Sequence, residues 1–277
     1  MSYKTILVHV DQSPHAVERI ALAARLARSQ QAHLIGSALT GLTTEYYRTS
    51  EMALAGPLSQ AEIDLITRSS EQALERFDTQ ARAADVSHEQ RYSDDDAESG
   101  LVQQARYADL VVLSQTDPAT SGFSIMRQLP EHLTLHGGRP VLVVPYAGAF
   151  THLDRHALVA WDGSRAATRA ITDALPLLRS SARVTLALFD PGRAHGEEPG
   201  ADMALYLARH GLTVEVQRQT TAPDVDVGNA LLSLAADTGA DLLVMGAYGH
   251  QRWREIVLGG VTRRVLQTMT LPVLMSH

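Results

Sequence analysis

Thr5-Ile-Leu-Val-His-Val-Asp11-Gln-Ser13 and Ala157-Leu-Val-Ala-Trp-Asp162-Gly-Ser164 decide the fold, because the second repeats the first at an offset of 151 residues. Each is a short apolar run that ends in Asp-x-Ser and leads into a helical period. The echo returns late in each half. Ala108-Asp109-Leu-Val-Val-Leu matches Ala240-Asp241-Leu-Leu-Val-Met, and Arg139-Pro140-Val-Leu-Val-Val matches Leu271-Pro272-Val-Leu-Met, both at an offset of 132. A chain that states one βα unit twice reads as two similar domains, and the positions where the copies differ are where function is to be sought.

Outward from these runs, short β-branched segments alternate with helical periods, the signature of parallel α/β architecture. The first half predicts strands near 5–10, 33–39, 86–92, 109–114 and 141–145. The second predicts them near 157–161, 184–189, 213–218, 241–246 and 272–275. Ser13-Pro14 reads as N-cap and first helical residue, and Ser164 as the cap of a helix over 165–179 that Pro176 is expected to kink. Ser59-Gln-Ala-Glu62 is a capping box opening a longer helix, and 41–57 before it is an insertion. Five parallel strands with helices on both faces predict, in each half, a flavodoxin-like doubly wound sheet of order 3-2-1-4-5. Ligands then bind beyond strands 1 and 4, at Asp11 with 114–130 and at Asp162 with 246–262. Pro145 to Asp154 reads as a linker, giving domains over 1–147 and 154–277.

At 277 residues the length suits two modest domains. With no cysteine there is no disulfide framework and no thiolate ligand or nucleophile, which points to a reducing cytoplasm. Met1 to Lys4 runs straight into a strand, without a basic leader or a membrane-length apolar run. A formal charge of −7 argues against nucleic acid as the main partner. Neither a Gly-x-Ser-x-Gly elbow nor a Gly-x4-Gly-Lys-Ser/Thr loop occurs, so hydrolase and P-loop chemistry are not indicated.

The second switch region runs Gly246-Ala-Tyr-Gly249-His-Gln-Arg252-Trp-Arg254-Glu-Ile-Val-Leu-Gly259-Gly260-Val261-Thr262-Arg263-Arg264. Glycines between a strand and the next helix let bare main-chain N–H groups approach an anion, and the helix N-terminus adds its positive end. Arginines early in that helix oppose its dipole unless an anion is bound. The bland reading of Arg252, Arg254, Arg263 and Arg264 is a solvated surface, and the sharper one is phosphate neutralisation. Trp253, Ile256, Val257 and Leu258 read as a packing contact in preference to a ligand flap.

Here the sequence resembles the universal stress protein family, and specifically its tandem-domain members. The family's ATP-binding members carry Gly-x2-Gly-x9-Gly followed by Ser or Thr after the fourth strand, and Gly246, Gly249 and Gly259 stand at that spacing, flanked by Met245 and Val261. Gly260 departs by replacing the hydroxyl, removing a side-chain hydrogen bond to phosphate of about 0.5–1.5 kcal/mol. Thr262 is a candidate replacement. The resemblance implies that Asp162 faces the ribose or phosphate and that main-chain groups near Leu188 meet adenine. Asp162 reads equally as a turn residue supporting Ser164. In the first half Ser114, Asp117, Arg127 and Gln128 replace the glycines, so that half is expected to be structural. The resemblance further implies that the last strands, Val141–Val144 and Val273–Met275, pair across a pseudo-two-fold axis within one chain, and leaves a homodimer open.

No histidine of the set His9, His15, His33, His132, His136, His156 and His250 forms a convincing ligand pair, although His132 and His136 lie four apart. Asp94-Asp95-Asp96 reads as a solvated turn. The expectation is therefore a cytoplasmic stress-response sensor or regulator that binds ATP, with or without Mg2+, or another adenine nucleotide in its second half. It touches neither nucleic acid nor membrane, and its protein partner is unidentified. The 41–57 and Pro191–Gly200 segments read equally as partner sites or lids, and the alternatives to the sensor are a scaffold acting through protein contacts or a slow ATPase. The last lacks a general base other than Asp162 or His250.

Overall fold

The computed structural model describes residues 2–42, 58–119, 129–190, 198–222, 225–249 and 260–277. The chain divides into two compact units, Ser2–Arg139 and Pro140–His277. The first contains β1 (Thr5–His9), α1 (Ala16–Gln30), β2 (His33–Leu39), α2 (Gln60–Ala83), β3 (His88–Ser93), α3 (Ala97–Ala105), β4 (Leu110–Ser114) and α4 (Leu129–His136). Its strands are parallel in the order β3-β2-β1-β4. The second contains β5 (Val141–Val144), β6 (His156–Ala160), α5 (Arg165–Leu178), β7 (Arg183–Phe189), α6 (Ala201–Arg209), β8 (Val214–Gln219), α7 (Val227–Thr238), β9 (Leu242–Gly246), α8 (Gly260–Thr268) and β10 (Val273–Ser276). Here the parallel strands run β8-β7-β6-β9-β10, the doubly wound order expected.

The fifth strand of the first repeat, β5, lies in the second unit. It pairs antiparallel with β10, joining Val143 to Val273, Leu142 to Leu274 and Val141 to Met275. The two Pro-led apolar runs thereby cover one another's edge, which removes a template for aggregation.

The central strands show why the sheets are buried on both faces. Ile6, Leu7 and Val8 in β1, and Ala157, Leu158 and Val159 in β6, are all fully buried, so side chains of both orientations face helices. The repeated Ala-Asp pairs explain the 132-residue echo. The Asp109 carboxylate accepts from the main-chain N–H groups of Lys4 (2.7 Å) and Thr5 (3.0 Å), and Asp241 accepts from those of Arg155 (2.9 Å) and His156 (3.0 Å). Each aspartate thus clamps the start of its central strand.

Helix starts follow local chemistry. Ser59 and Glu62 form the expected capping box of α2, and Ser164 Oγ accepts from Ala167 N–H (3.0 Å) at the start of α5. The first helix begins later than Ser13-Pro14 predicts. Ser13 turns back to Asp11, and α1 opens at Ala16 after His15, which makes no side-chain capping bond. Pro176 sits in the last turn of α5, which ends two residues later. On the first sheet Phe77 from α2 is fully buried over Gly36, where a Cβ would lie 2.6 Å from the ring. Among the described residues no helix is long and apolar enough to cross a membrane. Most of the 41–57 insertion, from residue 43 on, and 191–197 of the Pro191–Gly200 loop lie outside the described residues.

Candidate functional site

In the second unit β6 is flanked by β7 and β9, so the winding direction reverses beyond the carboxyl ends of β6 and β9. The chain leaving β9 turns through Ala247, Tyr248 and Gly249 between two helix N-termini. On one side it packs on the start of α5. A Cβ on Gly246 would lie 2.6 Å from the Ala166 carbonyl carbon, and one on Gly249 would lie 2.7 Å from the Ser164 hydroxyl. On the other side Tyr248 N–H donates to Thr262 Oγ1 (3.2 Å) in the first turn of α8. Tyr248 adopts a left-handed φ of 55°, a conformation costly for a bulky L-residue, and the turn is held from both flanks. The Ala247 main chain also receives a bond from His277 Nδ1 (2.9 Å), and its N–H donates to Ser276 O (2.8 Å).

These contacts assign the glycines different jobs. Gly246 and Gly249 carry no side chain because α5 leaves no room for one. Among the described residues nothing lies within 4 Å of where a Cβ on Gly260, the first residue of α8, would be, so none of them requires a glycine there. Thr262 is buried, and its hydroxyl accepts from the turn. Val261 precedes it, partly exposed. Asp162 is exposed and accepts from Ser164 N–H (2.9 Å), so the local turn role is realised. Leu188 and Met245 are buried at the ends of β7 and β9. Arg263 is exposed, and Arg264 Nε stands 3.8 Å from Asp226, the N-cap of α7. Arg252 and Gly259 of the expected site, together with His250, Trp253, Arg254, Ile256, Val257 and Leu258, lie outside the described residues. The positive ends of two helix dipoles beside one turn favour negative charge over positive charge there.

The first unit closes its matching crevice with side chains. Asp11 Oδ1 accepts from Ser13 N–H (3.0 Å), the Ser13 hydroxyl (2.7 Å) and Arg19 (3.0 Å), and His9 Nδ1 faces Asp11 Oδ2 at 3.6 Å. The second arm of the Arg19 guanidinium donates to Ser114 Oγ (2.8 Å) at the end of β4. His15 Nε2 meets Asp117 Oδ2 at 2.9 Å, and Arg76 from α2 reaches the Asp11 carbonyl (3.4 Å) and the Gln12 side chain. Burial pushes the Asp11 carboxyl upward, but Arg19, His9 and the Ser13 hydroxyl together hold it below the usual carboxylate range. Burial also pushes the His9 imidazole down to about 4, against the opposing pull of Asp11, so His9 is neutral at pH 7. Sequence reading overlooked Arg19. Its signal is a charged residue among Ala16, Ile20, Ala23 and Ala24, all on the buried stripe of α1. The His132 and His136 rings lie 4.6 Å apart, tilted by 50°, with His132 3.8 Å from Glu98.

The sequence profile described as the Universal stress protein family matches residues 2–145 and again 155–277. A universal stress protein of the cyanobacterium Synechocystis, Slr1230, is 44% identical over 45 residues, a match spanning 16% of this chain and 16% of that protein. Among solved structures, a universal stress protein from Archaeoglobus fulgidus covers 98% of this chain and 95% of its own, at 16% identity and a TM-score of 0.75. A putative universal stress protein from Pseudomonas aeruginosa covers 99% and 93%, at 16% identity and a TM-score of 0.61. At such identity these structures speak for the fold. The family profile, matched twice at the register of the internal repeat, goes further: the chain belongs to the universal stress protein family.

Proposed function

We propose that the second unit binds an adenine nucleotide, ATP foremost, and that the protein is a cytoplasmic stress sensor or regulator without rapid turnover. The observation that carries this reading is the turn Ala247-Tyr248-Gly249, held between the N-terminus of α5 through Ser164 and that of α8 through Thr262. Phosphate is the anion this geometry suits, because two helix N-termini flank a turn in which Ala247 and Gly249 leave the main chain lightly covered. The space at Gly260 supports it, since no described residue crowds that glycine. By the family resemblance Asp162 would face the ribose or phosphate and the main chain near Leu188 would meet the base. The scaffold reading draws on the same turn: packing alone accounts for Gly246 and Gly249.

Titration calorimetry of ATP with Mg2+ into nucleotide-free protein separates the two, beside a Gly249→Asp variant that copies Asp117. One site per chain, lost in a folded variant, supports the nucleotide sensor. No heat at millimolar ATP sinks it in favour of the scaffold. Phosphate release from ATP, absent on the sensor reading, is followed in the same samples.

A further inference from the structure

We propose that Arg19 determines which half of the chain accepts a nucleotide, its guanidinium filling in the first unit the crevice that the second leaves to a ligand. This rests on the nucleotide reading of the second unit. At the offsets of the internal repeat, five polar residues of the first unit face five small ones of the second. His9 corresponds to Ala160, His15 to Ala166, Arg19 to Ala170, Ser114 to Gly246 and Asp117 to Gly249. The central aspartate, Asp11 or Asp162, is common to both. The difference is therefore concentrated in what surrounds that carboxylate.

Arg19 is 1% exposed and bridges Asp11 at the end of β1 to Ser114 at the end of β4, the two strand ends that bound the crevice. A guanidinium is a good partner for phosphate only when its N–H fork is available. Here one arm is taken by Asp11 and the other by Ser114, and Nε is buried without a partner among the described residues. Both terminal nitrogens are held, and at 1% exposure the guanidinium presents no open face to an incoming anion. Asp11 is equally committed, with one oxygen receiving three donors. A ligand that drew the half-buried Asp11 carboxylate away would leave the buried Arg19 guanidinium without its counter-charge, which is unfavourable. Asp117 adds a carboxylate where Gly249 offers bare main chain, and His15 fixes it at 2.9 Å.

The test is ATP binding to the full chain, wild type against Arg19→Ala/Ser114→Gly/Asp117→Gly, with hydrogen exchange of peptides spanning 10–19 and 160–170 locating the site. Wild type should bind one ATP per chain and protect only 160–170. The triple variant should bind two and gain protection over 10–19. A folded triple variant without new protection at 10–19 overturns the proposal, whether or not 160–170 responds. New protection at 10–19 with none at 160–170 in either protein upholds it and sinks only the nucleotide reading of the second unit. If the triple variant does not fold, Ala170→Arg carries the plug into the second unit. At an unchanged far-UV spectrum it should weaken ATP at least tenfold, and affinity within twofold of wild type overturns the proposal.

Discussion

Gly246 and Gly260 belong to one sequence motif yet answer to different forces. A methyl on Gly246 meets the main chain of Ala166 and Ala167, which cannot move without unseating the start of α5. Gly246→Ala should therefore cost about 1–3 kcal/mol through overpacking, read as a lower urea midpoint of the second unit. An unchanged midpoint would mean that β9 and α5 are not in contact as described. At Gly260 no described residue crowds a side chain, so Gly260→Ser should leave the midpoint nearly unchanged while adding the hydroxyl that the resemblance to ATP-binding members implies there. If that hydroxyl meets phosphate, ATP should bind roughly 2–10-fold more tightly, the worth of one net hydrogen bond. Unaltered affinity in calorimetry would place the phosphate elsewhere.

The strands and helices owe their legibility to local signals, and the departures come from contacts that sequence distance hides. Every strand lies within two residues of its expected place: the central ones are continuous apolar runs because both faces are buried, whereas β3 and β8 are polar and partly exposed. The capping box of α2 and the Asp-x-Ser turns act over two or three residues and are read directly. Ser13 was misleading as a cap because its hydroxyl is claimed by Asp11, which in turn is claimed by Arg19, eight residues on. At the site, the glycine spacing marked the turn, but which glycines serve packing depends on Ser164 and Ala166, some eighty residues away in the chain. The repeated Ala-Asp pair was visible as an echo, while its role as a clamp on the central strand needed the fold. That role is testable. Asp241→Ala strands two main-chain N–H groups at the start of β6 and should destabilise the second unit by about 1–3 kcal/mol. Asp109→Ala should do the same to the first, and urea unfolding that leaves both unaffected would reduce the clamp to an ornament of sequence.

Across the whole molecule the charge cluster should make the two units differ in their response to acid. His9 is buried in the first unit with its folded pKa at about 4, against roughly 6.5 for an unfolded histidine. The unfolded chain thus takes up a proton before the folded one does. Stability is full above pH 6.5 and falls as pH drops toward 4, by on the order of 3 kcal/mol if the whole difference is expressed. Asp11, with its pKa depressed, contributes stability that is present above the ordinary carboxylate pKa and lost below it, so it extends the decline further into acid. His88, raised by the Val86 carbonyl and Asp78, acts with the opposite sign but is shifted less. The second unit has alanine at the position of His9. Both tryptophans, Trp161 and Trp253, belong to that unit, so their fluorescence reports on it alone while far-UV circular dichroism reports on both. From pH 7 to pH 4.5 the urea transition seen by dichroism should become biphasic, its first phase moving to lower urea while the fluorescence midpoint moves less. His9→Gln, which removes the titrating group, should abolish the pH dependence of that first phase between 6.5 and 4.5. Coincident transitions at every pH would mean that the units unfold as one, and a first phase indifferent to His9→Gln would remove the imidazole from the account.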